Sequence, residues 1–119
     1  TGFERVVFEF DAAGVSYDIQ YVEEAIPPSG DPVAIAGGEI LQIAMTPASG
    51  VDLTGDTPVQ TYEGPDRFSP AGSDVILEIV GVEDFENHLV WAIGLDGTPD
   101  VAVATLEDPF RLVVDIATD

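Results

Sequence analysis

Two stretches at opposite ends of the chain share one pattern, and that pattern restricts the fold more than anything between them. Phe3-Glu4-Arg5-Val6-Val7-Phe8-Glu9-Phe10 and Phe110-Arg111-Leu112-Val113-Val114-Asp115-Ile116 both alternate with a period of two, as β-strands do when successive side chains leave on opposite faces. One face is wholly apolar: Val6, Phe8 and Phe10 in the first stretch, Phe110, Leu112, Val114 and Ile116 in the second. The other face reads Arg5, Val7, Glu9 and then Arg111, Val113, Asp115. If the strands are antiparallel neighbours in register, Arg5 opposes Asp115, Val7 opposes Val113 and Glu9 opposes Arg111, whereas parallel pairing sets like charges together. The charge pattern therefore predicts antiparallel pairing. Each such pair is worth only about 0.2–1 kcal/mol, so it biases register more than it creates stability. A second arrangement fits the same symmetry, with the two runs as equivalent strands of half-domains that never touch.

The remainder continues the β pattern. Asp11-Ala12-Ala13-Gly14 reads as a turn, and 15–22 places Val15, Tyr17, Ile19 and Tyr21 on one face, which predicts a hairpin with the first strand. Three prolines within 26–32 mark an exposed loop, followed by a short apolar piece at 33–36 and the break Gly37-Gly38. The next strand should point Leu41, Ile43 and Met45 into the core. From 47 to 72 no regular period is visible, and a connection of that length inside a domain is often functional. Alternation returns at 74–80 and again at 89–95, where Leu89, Trp91, Ile93 and Leu95 share a side. Asp96-Gly97-Thr98-Pro99-Asp100 is a hairpin-loop signal, and 101–106 runs back from it. About seven short, mostly antiparallel strands and no helical stretch predict an all-β fold, a β-sandwich that buries one face of each sheet against the other. The reading treats 1–119 as one domain, cut from something longer.

Composition narrows the function. Twenty-three acids face three arginines and no lysine, for a formal net charge of −20. A field of that sign repels nucleic-acid phosphates and anionic membrane surfaces, so neither is an expected partner. The chain is 45% hydrophobic over 119 residues, enough to form a core without metal or disulfides. It holds no cysteine, which excludes a disulfide framework and leaves secretion open.

Catalytic groups are sparse. His88 is the sole histidine and reads as an ordinary surface or edge residue. No serine sits in a nucleophile-elbow context, and no glycine-rich phosphate loop or zinc-ligand spacing occurs. With so many acids, paired carboxylates arise by chance and carry no glycosidase argument. The expectation is no enzymatic activity and no cofactor. Glu83, Asp84 and Glu86, and separately Asp96 and Asp100, gather carboxylates on turns where calcium could bind, although neither set follows the spacing of an EF-hand loop. Of the aromatics, Trp91 is in phase with the core. Tyr62 and Phe68, flanking Arg67 on the long loop, are the residues placed to meet a ligand.

Gly2-Phe3-Glu4-Arg5-Val6-Val7-Phe8-Glu9-Phe10, Tyr62-Glu63-Gly64-Pro65-Asp66-Arg67-Phe68 and the closing Asp108-Pro109-Phe110-Arg111-Leu112-Val113-Val114-Asp115 together resemble the AMIN-like domain of actinobacterial secreted proteins and lipoproteins. That domain is related to the AMIN module that targets proteins to the bacterial wall. The resemblance spans the chain in matching order and implies a non-catalytic β-sandwich of the cell envelope, outside the cytoplasm, that contacts peptidoglycan or another neutral glycan. A calcium-stabilised adhesion or protein-interaction domain is the alternative. The resemblance supplies no binding residues, so the expected ligand site is Tyr62, Arg67 and Phe68. Arg5 and Arg111 are expected to pair with strand carboxylates.

Overall fold

The computed structural model describes residues 2–10, 15–26, 30–46, 51–52, 59–60, 67–70, 72–73, 75–85, 88–107 and 110–118. Its elements are all strands: β1 (Phe3–Phe10), β2 (Ser16–Val22), β3 (Glu39–Thr46), β4 (Val51–Asp52), β5 (Val59–Gln60), β6 (Arg67–Phe68), β7 (Ile76–Phe85), β8 (His88–Leu95), β9 (Val101–Leu106) and β10 (Phe110–Ala117). A small sheet has the order β1-β10-β9 and a large one the order β2-β3-β8-β7-β6, while β4 and β5 form a separate ribbon. All the pairings are antiparallel. The expected sandwich is therefore present, with eight strands in its two sheets.

The terminal strands pair as their charges dictate. Arg5 lies opposite Asp115, Val7 opposite Val113 and Glu9 opposite Arg111, in an eight-residue antiparallel register. Arg5 donates from Nε to Asp115 Oδ1 at 2.7 Å and from Nη2 to Oδ2 at 3.1 Å, a two-pronged contact that suits a planar guanidinium. The alternative of half-domains that never touch is excluded by this pairing.

The apolar faces meet as alternation requires. Leu41, Ile43 and Met45 of β3 and Trp91, Ile93 and Leu95 of β8 are buried against Leu112, Val114 and Ile116 of β10, with Val6, Phe8 and Phe10 packed alongside. Phe8 and Trp91 come together with ring centroids 6.4 Å apart and planes tilted by 53°, so Trp91 is a core residue.

One expectation fails. β2 does not form a hairpin with β1; it crosses to the other sheet and pairs with β3 along its whole length. The charge-matched β10 occupies the place beside β1, and a strand's alternation specifies which face is buried without specifying its neighbour. Within 47–72, where no regular period is visible, the described residues form the short strands β4, β5 and β6. Each is two residues long, too short for alternation to be read.

β8 is buried on both faces, since Val90 and Ala92 are as inaccessible as Trp91 and Ile93. Beside it on the outer side runs a strap, residues 30–38, tied back to Ala25 by a bridge in which the Val33 N–H donates to the Ala25 carbonyl at 2.9 Å. The strap approaches β8 where side chains are missing: a Cβ at Gly94 would fall 2.8 Å from Ile35 Cγ2, and one at Gly37 would fall 2.7 Å from the Leu95 carbonyl oxygen. Gly37 also adopts φ 112°, a conformation that favours glycine.

Candidate functional site

The two sheets have unequal widths, and the edge of one does not close on the edge of the other. β1 is a free edge of the small sheet and β6 a free edge of the large one. Between them lies a cleft of about 500 Å³, a size within the roughly 300–1,000 Å³ typical of small-ligand sites. Its apolar lining includes Val6, Phe68, Pro70, Ile76 and Ile79. The Phe68 ring is 37% exposed, so it lines the cleft without being sealed in the core. Glu4 closes one end: its Oε1 accepts from the Ser73 hydroxyl at 2.5 Å and from the Ile76 N–H at 3.1 Å, pinning the segment that leads into β7. Arg5 and Val7 also border the cleft although their side chains lie on the outer face of the small sheet.

The residues singled out from the sequence do not all converge on this cleft. Arg67 and Phe68 are consecutive in β6 and pair with Val80 and Ile79 respectively, so they leave on opposite faces of the large sheet. Phe68 turns toward the cleft. Arg67 turns outward to the strap, where its Nη1 donates to the Ala34 carbonyl at 2.7 Å and to Glu78 Oε1 at 2.9 Å. The same Glu78 oxygen accepts the Ala36 N–H at 2.9 Å. That backbone donor first, and then Arg67, hold the Glu78 carboxyl below its ordinary pKa against an opposing effect of burial. Tyr62 lies outside the described residues.

The structure contributes a feature that sequence reasoning missed, namely the cleft border formed by Arg5 and Val7. The Asp115 carboxyl is held below its ordinary value, first by the hydrogen bond from Arg5 and then by that residue's charge. Composition carried a partial signal, because a retained arginine on a strand edge in so acidic a chain is a rare donor. The alternation alone could not say that β1 would be an edge.

At the opposite side of the sandwich β2 and β9 are the free edges. Tyr21 of β2 donates its hydroxyl to the Pro99 carbonyl, in the loop that leads into β9, at 2.8 Å. Its pKa is raised by burial first, then by Glu39 and Asp100. Glu83 and Asp84 lie in β7 and Asp96 in the turn after β8, while Glu86 lies outside the described residues. Among the described residues, no three His, Cys, Asp or Glu side chains gather as a metal ion would need. His88 opens β8, half-buried and opposite Phe85.

Two antiparallel sheets packed face to face, with no helix among the described residues, define a class, the small all-β sandwich module. The comparison with known families then supplies the particular: a family model described as the AMIN-like domain matches residues 1–118, and the chain belongs to that family. AMIN-like domains are extracytoplasmic modules of the cell envelope, generally without catalytic activity. No curated protein and no solved structure matches the chain. Among the described residues no helix is long and apolar enough to cross a membrane.

Proposed function

We propose that this domain is a non-catalytic binding module of the cell envelope that holds peptidoglycan, or another neutral wall glycan, at the cleft between β1 and β6. The observation that carries the reading is Phe68, 37% exposed at a cleft whose walls include Val6, Pro70, Ile76 and Ile79. An aromatic face beside a groove suits sugar C–H groups, and membership of a cell-envelope family favours a wall polymer as the ligand. A net charge of −20 works against phosphate-rich polymers. Phe68 makes the contact, whereas Arg67 secures the strap from the other face.

Co-sedimentation with purified sacculi tests this. The wild-type domain should pellet with the sacculi, and Phe68→Ala and Tyr62→Ala should remain in the supernatant with melting temperatures close to wild type. A wild-type domain that stays soluble, or variants that pellet equally well, would overturn the proposal.

A further inference from the structure

The cleft is bordered by a strand edge, and the hydrogen bonding of β1 says what that edge offers. The Thr118 N–H donates to the Gly2 carbonyl at 3.1 Å, one step beyond the register pair Phe3 and Ala117. In an antiparallel ladder, residues alternate between exchanging bonds with the neighbour and directing N–H and C=O the other way. Counting from Gly2, residues Glu4, Val6, Phe8 and Phe10 bond to β10. Arg5 and Val7 therefore turn their backbone groups away from it, and β1 has no second neighbour among the described strands. This explains why both residues border the cleft with side chains on the far face. They present two donors and two acceptors about 6.8 Å apart along the strand, the two-residue repeat of an extended chain.

A charge completes the pattern. Arg5 is bound to Asp115 through Nε and Nη2, leaving Nη1 without a hydrogen-bonding partner among the described residues, and its side chain is 52% exposed. In a chain of net charge −20, this guanidinium is the single cation among the residues that line the cleft. Backbone donors and acceptors at strand spacing and an apolar wall at Phe68 and Ile79 match an extended peptide, and the half-exposed guanidinium on the outer side of the same edge suits a carboxylate at its end.

We infer that the free edge of β1 binds a short extended peptide bearing a carboxylate, which is the peptide stem of peptidoglycan. This rests on the wall-binding reading above and names the portion of the polymer that is held.

Amide chemical shifts of the uniformly labelled domain are the test, with two soluble probes: an N-acylated Lys-D-Ala-D-Ala tripeptide with a free carboxylate, and an N-acetylglucosamine tetramer. The tripeptide should shift the amides of Arg5 and Val7, and the sugar should leave them in place. Arg5→Gln should weaken the tripeptide about tenfold or more, the scale of a charge-assisted hydrogen bond. Val7→Pro removes a donor that β10 does not use, at an edge position where proline is tolerated, and should abolish binding while keeping the fold. Shifts with the sugar alone, or with an all-L protein-like peptide but not the tripeptide, would overturn the inference. Sacculi that pellet the Val7→Pro variant normally would overturn it too and leave the wall-binding proposal standing. Tripeptide shifts without sacculus binding would do the reverse.

Discussion

Gly94→Ala is the substitution that most directly probes how the strap is held. An added Cβ would fall inside contact distance of the Ala36 carbonyl oxygen, 2.8 Å from Ile35 Cγ2 and 3.0 Å from the Ala36 carbonyl carbon. Two of these are backbone atoms, so no side-chain rotation relieves the clash. The strap must move, and it is held by the Ala36 N–H on Glu78, the Ala34 carbonyl on Arg67 and the bridge from Val33 to Ala25. Overpacking costs about 1–3 kcal/mol, and each weakened hydrogen bond adds about 0.5–1.5 kcal/mol. Against this, alanine gains roughly 0.4–1 kcal/mol by restricting the unfolded chain. The net expectation is a loss of about 3 kcal/mol, or roughly 10 °C in melting temperature for a domain of this size. Urea denaturation followed by circular dichroism measures it. Gly81→Ala is the control, because its Cβ would rest 3.5 Å from the Trp91 ring, an ordinary contact, and should change stability by less than about 0.5 kcal/mol. If Gly94→Ala is as mild as Gly81→Ala, the close approach of strap and sheet does not constrain the fold.

Leu112→Ala, at a position only 1% exposed, should cost about 2–5 kcal/mol in the same urea assay through lost burial and the cavity left behind. Acid should remove the contribution of two carboxylate contacts. Glu78 and Asp115 have carboxyl pKa values depressed by folding, so the unfolded chain binds more protons as pH falls; their contribution is present above the ordinary carboxylate range and disappears as pH drops through the lower folded values. Urea midpoints of Glu78→Gln and Asp115→Asn should each lie below wild type at pH ~6 and approach it by pH ~3, giving a slope against pH different from that of wild type. An unchanged slope in both variants would count against these contacts.

Much of the fold is legible in the sequence because the sandwich rests on period-two alternation. The terminal pair was readable down to its register, since Arg5 and Asp115 carry opposite charges at matched positions and like charges penalise the competing arrangement. Leu41, Ile43, Met45 and Trp91 were placed in the core by phase alone. The partner of β2 was not readable, as Val15, Tyr17, Ile19 and Tyr21 would alternate identically in either sheet. Nor was the two-sided burial of β8 taken up, although Leu89-Val90-Trp91-Ala92-Ile93 is the unbroken apolar run that such burial produces. The site was half legible. Phe68 reaches the cleft, but Arg67 follows the opposite face of the same two-residue strand, and a strand that short gives no periodic signal. Edge position is a property of the assembled sheet, so the free backbone of Arg5 and Val7 had no local signature.

The pairing of β1 with β10 sets Gly2 beside Thr118. A pull applied to these two neighbours would load the ladder crosswise, so its rungs would break singly and in order, as a zip opens, with Gly2 and Thr118 first. Strands drawn past each other lengthwise would have to surrender all their rungs together. Tension along the chain should therefore peel this module open at low force, and relaxation should let the matched charges of Arg5 and Asp115 guide the strands back into step.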